Sequence, residues 1–201
     1  MKSKSMKMKM SLLFAGASVL AVCLFLSAGC ATQTATTSNT TPGVAVYAPP
    51  VAPPAMPPAS RIALKFVKAD SEETAGEDGK GANAVDGDPN TIWHTQWQDA
   101  SPEHPHEIVI ELTPPSTIKG FTYLPRQDDS ENGTIEKYEF NVSNDGQDFG
   151  QPVAKGEFAN SKDLKTVTFN PRACRFIKLK ALSEVNGGAW TSAAEIGVIA
   201  Q

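Results

Sequence analysis

Glu107-Ile108-Val109-Ile110-Glu111-Leu112 alternates along its length: Ile108, Ile110 and Leu112 fall on one side of an extended chain, and Glu107, Val109 and Glu111 on the other. A period of two is the mark of a strand with one buried face. The pattern recurs on both sides of this stretch. Lys137 to Val142 points Tyr138, Phe140 and Val142 inward, and Asn144-Asp145-Gly146 after it is a hairpin signal. Arg61 to Val67 reads as an opening strand, and Ile118 to Leu124 as a mixed one. Lys165 to Phe169, Arg175 to Leu182 and Glu195 to Ala200 complete the set. Pro, Gly, Asn and Asp clusters separate these runs at roughly ten-residue spacing. No segment after the N-terminal leader sustains a 3.6-residue period. The expected fold is all-β, a β-sandwich or jelly roll.

The N-terminus is a separate matter. Lys2, Lys4, Lys7 and Lys9 form a basic flank, Leu12 to Leu26 is an almost unbroken apolar run, and Leu26-Ser-Ala-Gly-Cys30 ends it. A basic flank, an apolar stretch and small residues before a cut describe a secretory signal over residues 1–29 rather than a core helix. The alternative is an uncleaved membrane anchor. Leu-Ser-Ala-Gly-Cys resembles the bacterial lipobox, in which the Cys30 thiol takes the lipid and becomes the first residue of the mature chain. Ala31 in the second mature position, rather than Asp, implies by the same resemblance an outer-membrane location. Residues 30–60 are rich in Thr, Ser, Ala, Pro and Val, with seven prolines from Pro42 to Pro58. That composition favours extended polyproline II, a semi-rigid tether between bilayer and domain. Residues 61–201 suit one domain, expected to be monomeric.

Taking the four leader lysines from the 18 basic residues leaves 14 against 22 acidic ones, a mature charge of −8. That sign argues against binding phosphate backbones, which needs a basic face, and nucleic acid is not an expected partner. Of the three cysteines only Cys174 lies beyond Cys30, so the mature chain can form no internal disulfide. Its neighbourhood, Pro-Arg-Ala-Cys-Arg-Phe, holds no histidine, and the residue reads as an apolar filler.

Asn83 to Trp97 is the chemically richest stretch. Its first half is a tight turn full of oxygen donors, and its second half carries Trp93, His94 and Trp97. Asp86-x-Asp88-x-Asn90 mimics the opening of a helix-loop-helix calcium site. That motif needs Gly at loop position six and Glu at twelve, where Thr91 and Trp97 stand, so it is rejected. The residues alone leave two readings: a different oxygen cage, or a solvated Asp-Gly-Asp turn.

Six blocks in order carry a resemblance. Ala84-Val-Asp-Gly-Asp-Pro-Asn-Thr-Ile-Trp-His94, Pro105-His-Glu-Ile-Val-Ile-Glu-Leu112 and Gly120-Phe-Thr-Tyr-Leu-Pro-Arg126 resemble the discoidin, or F5/8 type C, domains. So do Tyr138-Glu-Phe-Asn-Val-Ser-Asn-Asp-Gly146, Arg175-Phe-Ile-Lys-Leu179 and Ala194-Glu-Ile196. Within that superfamily the chain is most like bacterial family 32 carbohydrate-binding modules. The resemblance covers about residues 61 to 200 and implies a jelly-roll sandwich. It also implies a structural calcium held by the Asn83 carbonyl, Asp86, Asp88, Thr91, the Ala194 carbonyl and Glu195.

The same resemblance implies a galactose-type sugar site. A sugar presents an apolar face and a rim of hydroxyls, so its site wants an aromatic platform and a few fixed donors and acceptors. His94, Arg126, Asn132 and Trp190 occupy the matching positions, with Trp97, a further candidate, three residues beyond His94. Arg126 can donate two parallel hydrogen bonds to adjacent oxygens, and Asn132 both donates and accepts. Trp190, on a glycine-rich loop, is the expected stacking platform. Trp93 is expected in the core, and Trp97 divides evenly between core and contact. His104 and His106 receive no role.

The function expected is a non-catalytic, lipid-anchored envelope protein that binds galactose, N-acetylgalactosamine or a related terminal sugar. A protein-interaction or envelope-assembly lipoprotein on the same scaffold is the alternative. A hydrolase ranks last: no Gly-x-Ser-x-Gly or His-Glu-x-x-His motif is present, and Asp86 and Asp88 are better used as cation ligands.

Overall fold

A computed structural model describes residues 62–201. The leader, Cys30 and the tether lie outside the described residues. The elements are β1 (Ala63–Ala69), a short 3-10 turn (Gly81–Val85), β2 (Trp93–His94) and β3 (His106–Leu124). They continue with β4 (Lys137–Ser143), β5 (Ala154–Glu157), β6 (Lys165–Ala181), β7 (Ser192–Ala193) and β8 (Glu195–Ala200). All strand pairings are antiparallel. The fold is an all-β jelly-roll sandwich.

Two long strands organise it. Glu107 to Leu112 and Ile118 to Leu124, expected as separate strands, are two halves of β3; Lys165 to Phe169 and Arg175 to Leu182 likewise merge into β6. The first half of β3 pairs with β1, Leu64 facing Leu112 and Phe66 facing Ile110. Its second half pairs with β8, Phe121 facing Val198 and Leu124 facing Glu195. β6 lies along the other side of both halves and passes the sheet on to β4 and then β5. Between the halves the β3–β6 register jumps from Glu111–Phe176 to Ser116–Cys174. Pro114 and Pro115 sit in that gap. Neither has an N–H to give a ladder, so the strand changes direction there without ending. The sequence pattern registers the prolines as a break because it cannot see that β6 continues alongside.

The core lies where the alternation put it. Ile108, Ile110, Leu112, Tyr138 and Phe140 are buried, with Ile118, Phe121, Ile177, Leu179 and Ile196. The Phe121 and Phe140 rings stack 4.1 Å apart, and Phe158 stacks on Tyr138 at 4.2 Å. Val142 is only half-buried, and Val109, expected on the outer face, is buried as well. β5 was not foreseen: Ala-Lys-Gly-Glu carries little apolar signal, and its strand conformation comes from pairing with β4. Cys174 is buried, and burial pushes its thiol up to about 11, in keeping with a filler role.

Candidate functional site

The shortest ladder in the molecule assembles the site. β2 pairs with β7, Trp93 opposite Ala193 and His94 opposite Ser192. Thr95 continues the contact by donating its N–H to the Thr191 carbonyl at 2.9 Å, and its hydroxyl accepts the Thr191 N–H at 2.9 Å. Residues almost a hundred positions apart are thereby fastened side by side. Alternation then separates the two aromatic neighbours. Trp93, 1% exposed, enters the core and donates its indole N–H to the Ser71 carbonyl at 2.9 Å. His94 turns toward the loops instead.

His94 Nδ1 lies 2.6 Å from the Thr95 carbonyl, so Nδ1 carries the proton of the neutral ring and Nε2 keeps the free lone pair. Burial lowers its pKa, which holds the ring neutral and accepting. Trp97 is 39% exposed and is a surface indole, not a core one. It lies against Gly76, where a β-carbon would come within 2.6 Å of the ring, and its Nε1 donates to Glu77 Oε1 at 3.0 Å.

The loop under Trp97 is built on a residue that sequence reasoning passed over. Glu73 Oε2 accepts the N–H groups of Trp97 and Gln98, both at 2.8 Å, and Oε1 accepts those of Ala75 at 2.7 Å and Gly76 at 2.8 Å. Four backbone donors, led by Trp97, hold its carboxyl down at about 2 despite its burial. Glu184 does the same for the other indole: its Oε2 accepts the N–H groups of Asn186 and Gly188 at 2.8 Å. Gly188 lies beside Trp190, with a β-carbon there 3.2 Å from the ring. The Trp190 Nε1 is buried and has no partner among the described residues. Nothing in a run of polar loop residues distinguishes such glutamates from solvated ones, because their partners are backbone groups brought in by the fold.

Arg126 is 7% exposed and is gripped by Asp128, Nε donating to Oδ1 at 2.7 Å and Nη2 to Oδ2 at 2.5 Å. Nη1 reaches the Asn132 carbonyl at 3.3 Å. Two of its five N–H groups remain, one on each terminal nitrogen. The parallel pair expected of Arg126 is therefore its terminal edge, the side edge being used by Asp128. Lys162, also unforeseen, holds the loop by donating to the carbonyls of Asp128 and of Ser130, the latter at 2.6 Å. Asn132 is exposed, and its amide has no bond within the described residues. Gly133 follows at φ +85°, and its carbonyl accepts the Ser192 N–H at 2.7 Å. A β-carbon at Gly133 would lie 2.6 Å from the Ser192 nitrogen, so only glycine lets the Asn132 loop close onto β7.

These side chains meet. His94, Trp97, Arg126, Asn132 and Trp190, the five predicted positions, line one cleft of about 280 Å³, joined by Glu77 and Ser130. The cleft offers two seated indoles, a terminal guanidinium edge, a free amide, a neutral imidazole acceptor and a carboxylate.

The turn beside it is a second cluster. Asp86 Oδ1 accepts the Asp88 N–H at 2.8 Å and its Oδ2 the Thr91 hydroxyl at 2.7 Å, while Asp88 Oδ1 accepts the N–H of Asn90. The Asn83 side-chain amide donates to the carbonyls of Asp78 and Ile92 and holds the turn in place. The N–H of Ala194 goes to Leu124. Glu195, 2% exposed, has a buried Oε1 with no partner. Burial first, and then the charge of Asp86, push its carboxyl up to about 7. Among the described residues no three His, Cys, Asp or Glu side chains form a ready-made metal cluster. The orphaned oxygen of Glu195 and the two aspartates that press on it nonetheless suit a hard cation held partly by carbonyl and hydroxyl oxygens.

The sequence profile of the F5/8 type C domain matches residues 67–196. The chain belongs to this family. As an F5/8 type C domain it is 40% identical over 139 residues to a sialidase of Micromonospora viridifaciens, covering 69% of this chain and 21% of the sialidase. It is 38% identical over 133 residues to a galactose oxidase of Gibberella zeae, covering 66% of this chain and 19% of the oxidase. The chain thus spans about a fifth of the curated relatives it matches. Among solved structures, the Clostridium perfringens module CpGH89CBM32-5, in complex with GalNAc-β-1,3-galactose, is 41% identical with a TM-score of 0.62, covering 68% of this chain and 95% of that one. The family 32 carbohydrate-binding module of C. perfringens NanJ, in complex with galactose, is 32% identical with a TM-score of 0.58, covering 67% and 92%.

Proposed function

We propose that this F5/8 type C domain is a non-catalytic module that binds galactose-type sugars, galactose or N-acetylgalactosamine at a glycan terminus. The observation that carries the reading is the cleft itself. Two indoles, each laid against a glycine, stand with the free edge of Arg126, the Asn132 amide and the His94 lone pair around one sugar-sized space. Stacking takes the apolar face of the sugar, and the fixed polar groups take its hydroxyls. Modules similar to this chain were solved with GalNAc-β-1,3-galactose and with galactose, which supports the choice of sugar. A glycan array followed by calorimetry with galactose tests it. Arg126→Ala is expected to weaken binding about a hundredfold, since it removes a charged donor and leaves Asp128 unpaired. An empty array, or unchanged affinity in the variant, refutes the assignment.

The cation loop is the module's structural calcium site in this reading, with the Asn83 carbonyl, Asp86, Asp88, Thr91, the Ala194 carbonyl and Glu195 as ligands. A cation held by these residues would give the buried Glu195 carboxylate its positive partner and would tie the loop to the start of β8. The lipobox-like sequence ending at Cys30 and the proline-rich stretch after it support a lipid anchor in the bacterial envelope, at the outer membrane, as part of this reading.

A further inference from the structure

His104-Pro105-His106, which the sequence leaves without a role, lies under the Trp190 loop. His106 opens β3 and is completely buried. Its Nδ1 is 2.8 Å from Asp70 Oδ2, and its Nε2 is 2.8 Å from the Ala189 carbonyl and 3.2 Å from that of Pro102. All three partners are acceptors only. Both ring nitrogens must therefore carry protons for the contacts to be hydrogen bonds. We propose that His106, as an imidazolium, is a positioning residue for the Trp190 platform, and that its deprotonation loosens the sugar site. The proposal rests on the sugar-binding reading of the cleft.

The geometry fixes what happens when the ring loses a proton. The remaining proton stays on Nδ1, facing the Asp70 carboxylate. Nε2 then turns a lone pair on the Ala189 oxygen at 2.8 Å, and an attraction becomes a repulsion. Ala189 immediately precedes Trp190. On the other side of the indole, Thr191 Oγ1 lies 3.1 Å from His104 Nε2. Two imidazoles, with ring centroids 5.0 Å apart, thus brace the residues that flank the platform.

The charged and titratable groups around this pair act unequally. Asp70 comes from the turn after β1, and its other oxygen accepts the Glu107 N–H at 2.6 Å. Glu103 and His104 precede β3, and Glu184 comes from the Trp190 loop. Burial is the strongest single influence on His106 and lowers its pKa. The Asp70 bond, the Ala189 carbonyl, the charge of Asp70 and the Pro102 carbonyl outweigh it together and raise the pKa above 6.5. His104 goes the other way, lowered by burial and then by the charge of His106. So His106 is the member that carries the charge. The stability it contributes is complete below pH 6.5 and is lost as pH rises through its raised folded value. His94, lowered by burial, titrates at the acid end and leaves the alkaline limb to His106.

The test takes the full chain from about pH 6 to about pH 9.5, spanning the ordinary and raised histidine range. Nitrogen NMR follows the His106 ring, calorimetry follows galactose, and hydrogen exchange follows the Trp190 amide. Both ring nitrogens are expected to be protonated at neutral pH. Galactose affinity should fall about tenfold as His106 deprotonates, with a loss of Trp190 protection beyond the intrinsic rise of exchange with pH. Asp70→Asn is the decisive variant. Its amide can donate to Nδ1 of a neutral ring while its oxygen still accepts from Glu107, so Nε2–H keeps Ala189 and the alkaline fall should disappear. A neutral His106 at pH 7 overturns the proposal, as does a galactose affinity that stays flat while His106 titrates. If galactose binds nowhere in the range, the sugar reading fails. Trp190 protection, corrected for the intrinsic rise of exchange with pH, then decides alone: a loss of protection with His106 deprotonation supports the clamp, and unchanged protection refutes it.

Discussion

Glu73 and Glu195 are both buried glutamates on the loop-bearing edge of the sandwich, and their carboxylates are held in opposite ways. Glu73 accepts four backbone N–H groups and is acidic at about 2. Glu195 has an oxygen with no partner, faces Asp86, and is pushed up to about 7. Both are buried, but burial is the largest influence on Glu195, whereas at Glu73 the Trp97, Gly76 and Gln98 N–H groups each outweigh it. What differs is whether the chain itself supplies the compensating positive ends of dipoles. Around Glu73 it does, and the result is a rigid seat for Trp97. Around Glu195 it supplies only the Gly87 N–H and leaves Oε1 without a partner, so burial and the Asp86 charge prevail. The seat of Trp97 is thus compensated by its own backbone, whereas the neighbouring turn leaves a buried carboxylate oxygen without a partner.

The largest effect that would break this contrast is loss of the cation. With calcium at a hundred or more times its dissociation constant, binding adds roughly 3 kcal/mol of stability, or about 10 °C in melting temperature for a domain of this size. Chelator should lower the melting temperature by about that amount, and added Ca²⁺ should restore it. An unchanged melting curve removes Glu195 from the comparison. Glu195→Gln sharpens the point. The amide takes away the buried charge, so the metal-free variant should melt higher than metal-free wild type, while its response to calcium shrinks.

Glu73 predicts a dependence on acid. Its carboxyl is ionised in both states above pH 4.5, where its contribution is complete. Between pH 4.5 and about 2 the unfolded chain binds the proton that the folded chain refuses, so stability falls across that window. Glu73→Gln should lower stability at neutral pH and flatten this acid limb in denaturant titrations. It should also weaken galactose binding several-fold, because Trp97 and Gln98 lose a charged acceptor. An acid limb identical to wild type would show that the four N–H groups do not favour the charged form.

The smallest effect is purely steric. Gly76→Ala places a methyl 2.6 Å from the Trp97 ring, which must shift. Galactose affinity should drop several-fold with the melting temperature nearly unchanged, since Trp97 is at the surface. Equal loss of both would mean that the indole is part of the core after all.

Much of this was readable in the chain. The alternation at Ile108, Ile110 and Leu112, and at Tyr138 and Phe140, named core residues correctly, because a strand with one wet face must alternate. The five candidate positions came from resemblance, and the fold brings them to one cleft. The merging of four strands into β3 and β6 was hidden, since Pro114 and Pro115 look like a terminus unless the neighbouring strand is known. β5 was hidden because its pairing with β4, and not its composition, makes it a strand.

The sequence by itself determined the class of fold, the acidic character, and the residue types available to the cleft and to the neighbouring turn. Those properties are local: period, composition and turn chemistry act over a few residues. Only the tertiary structure decided which polar groups are finished and which are not. Glu73, Glu184, Lys162 and His106 look like ordinary surface residues in the chain, yet each is defined by backbone groups distant in sequence or brought in by a loop. Whether a buried charge is satisfied depends on what surrounds it in three dimensions, and that surrounding is set by the β2–β7 ladder and the two long strands.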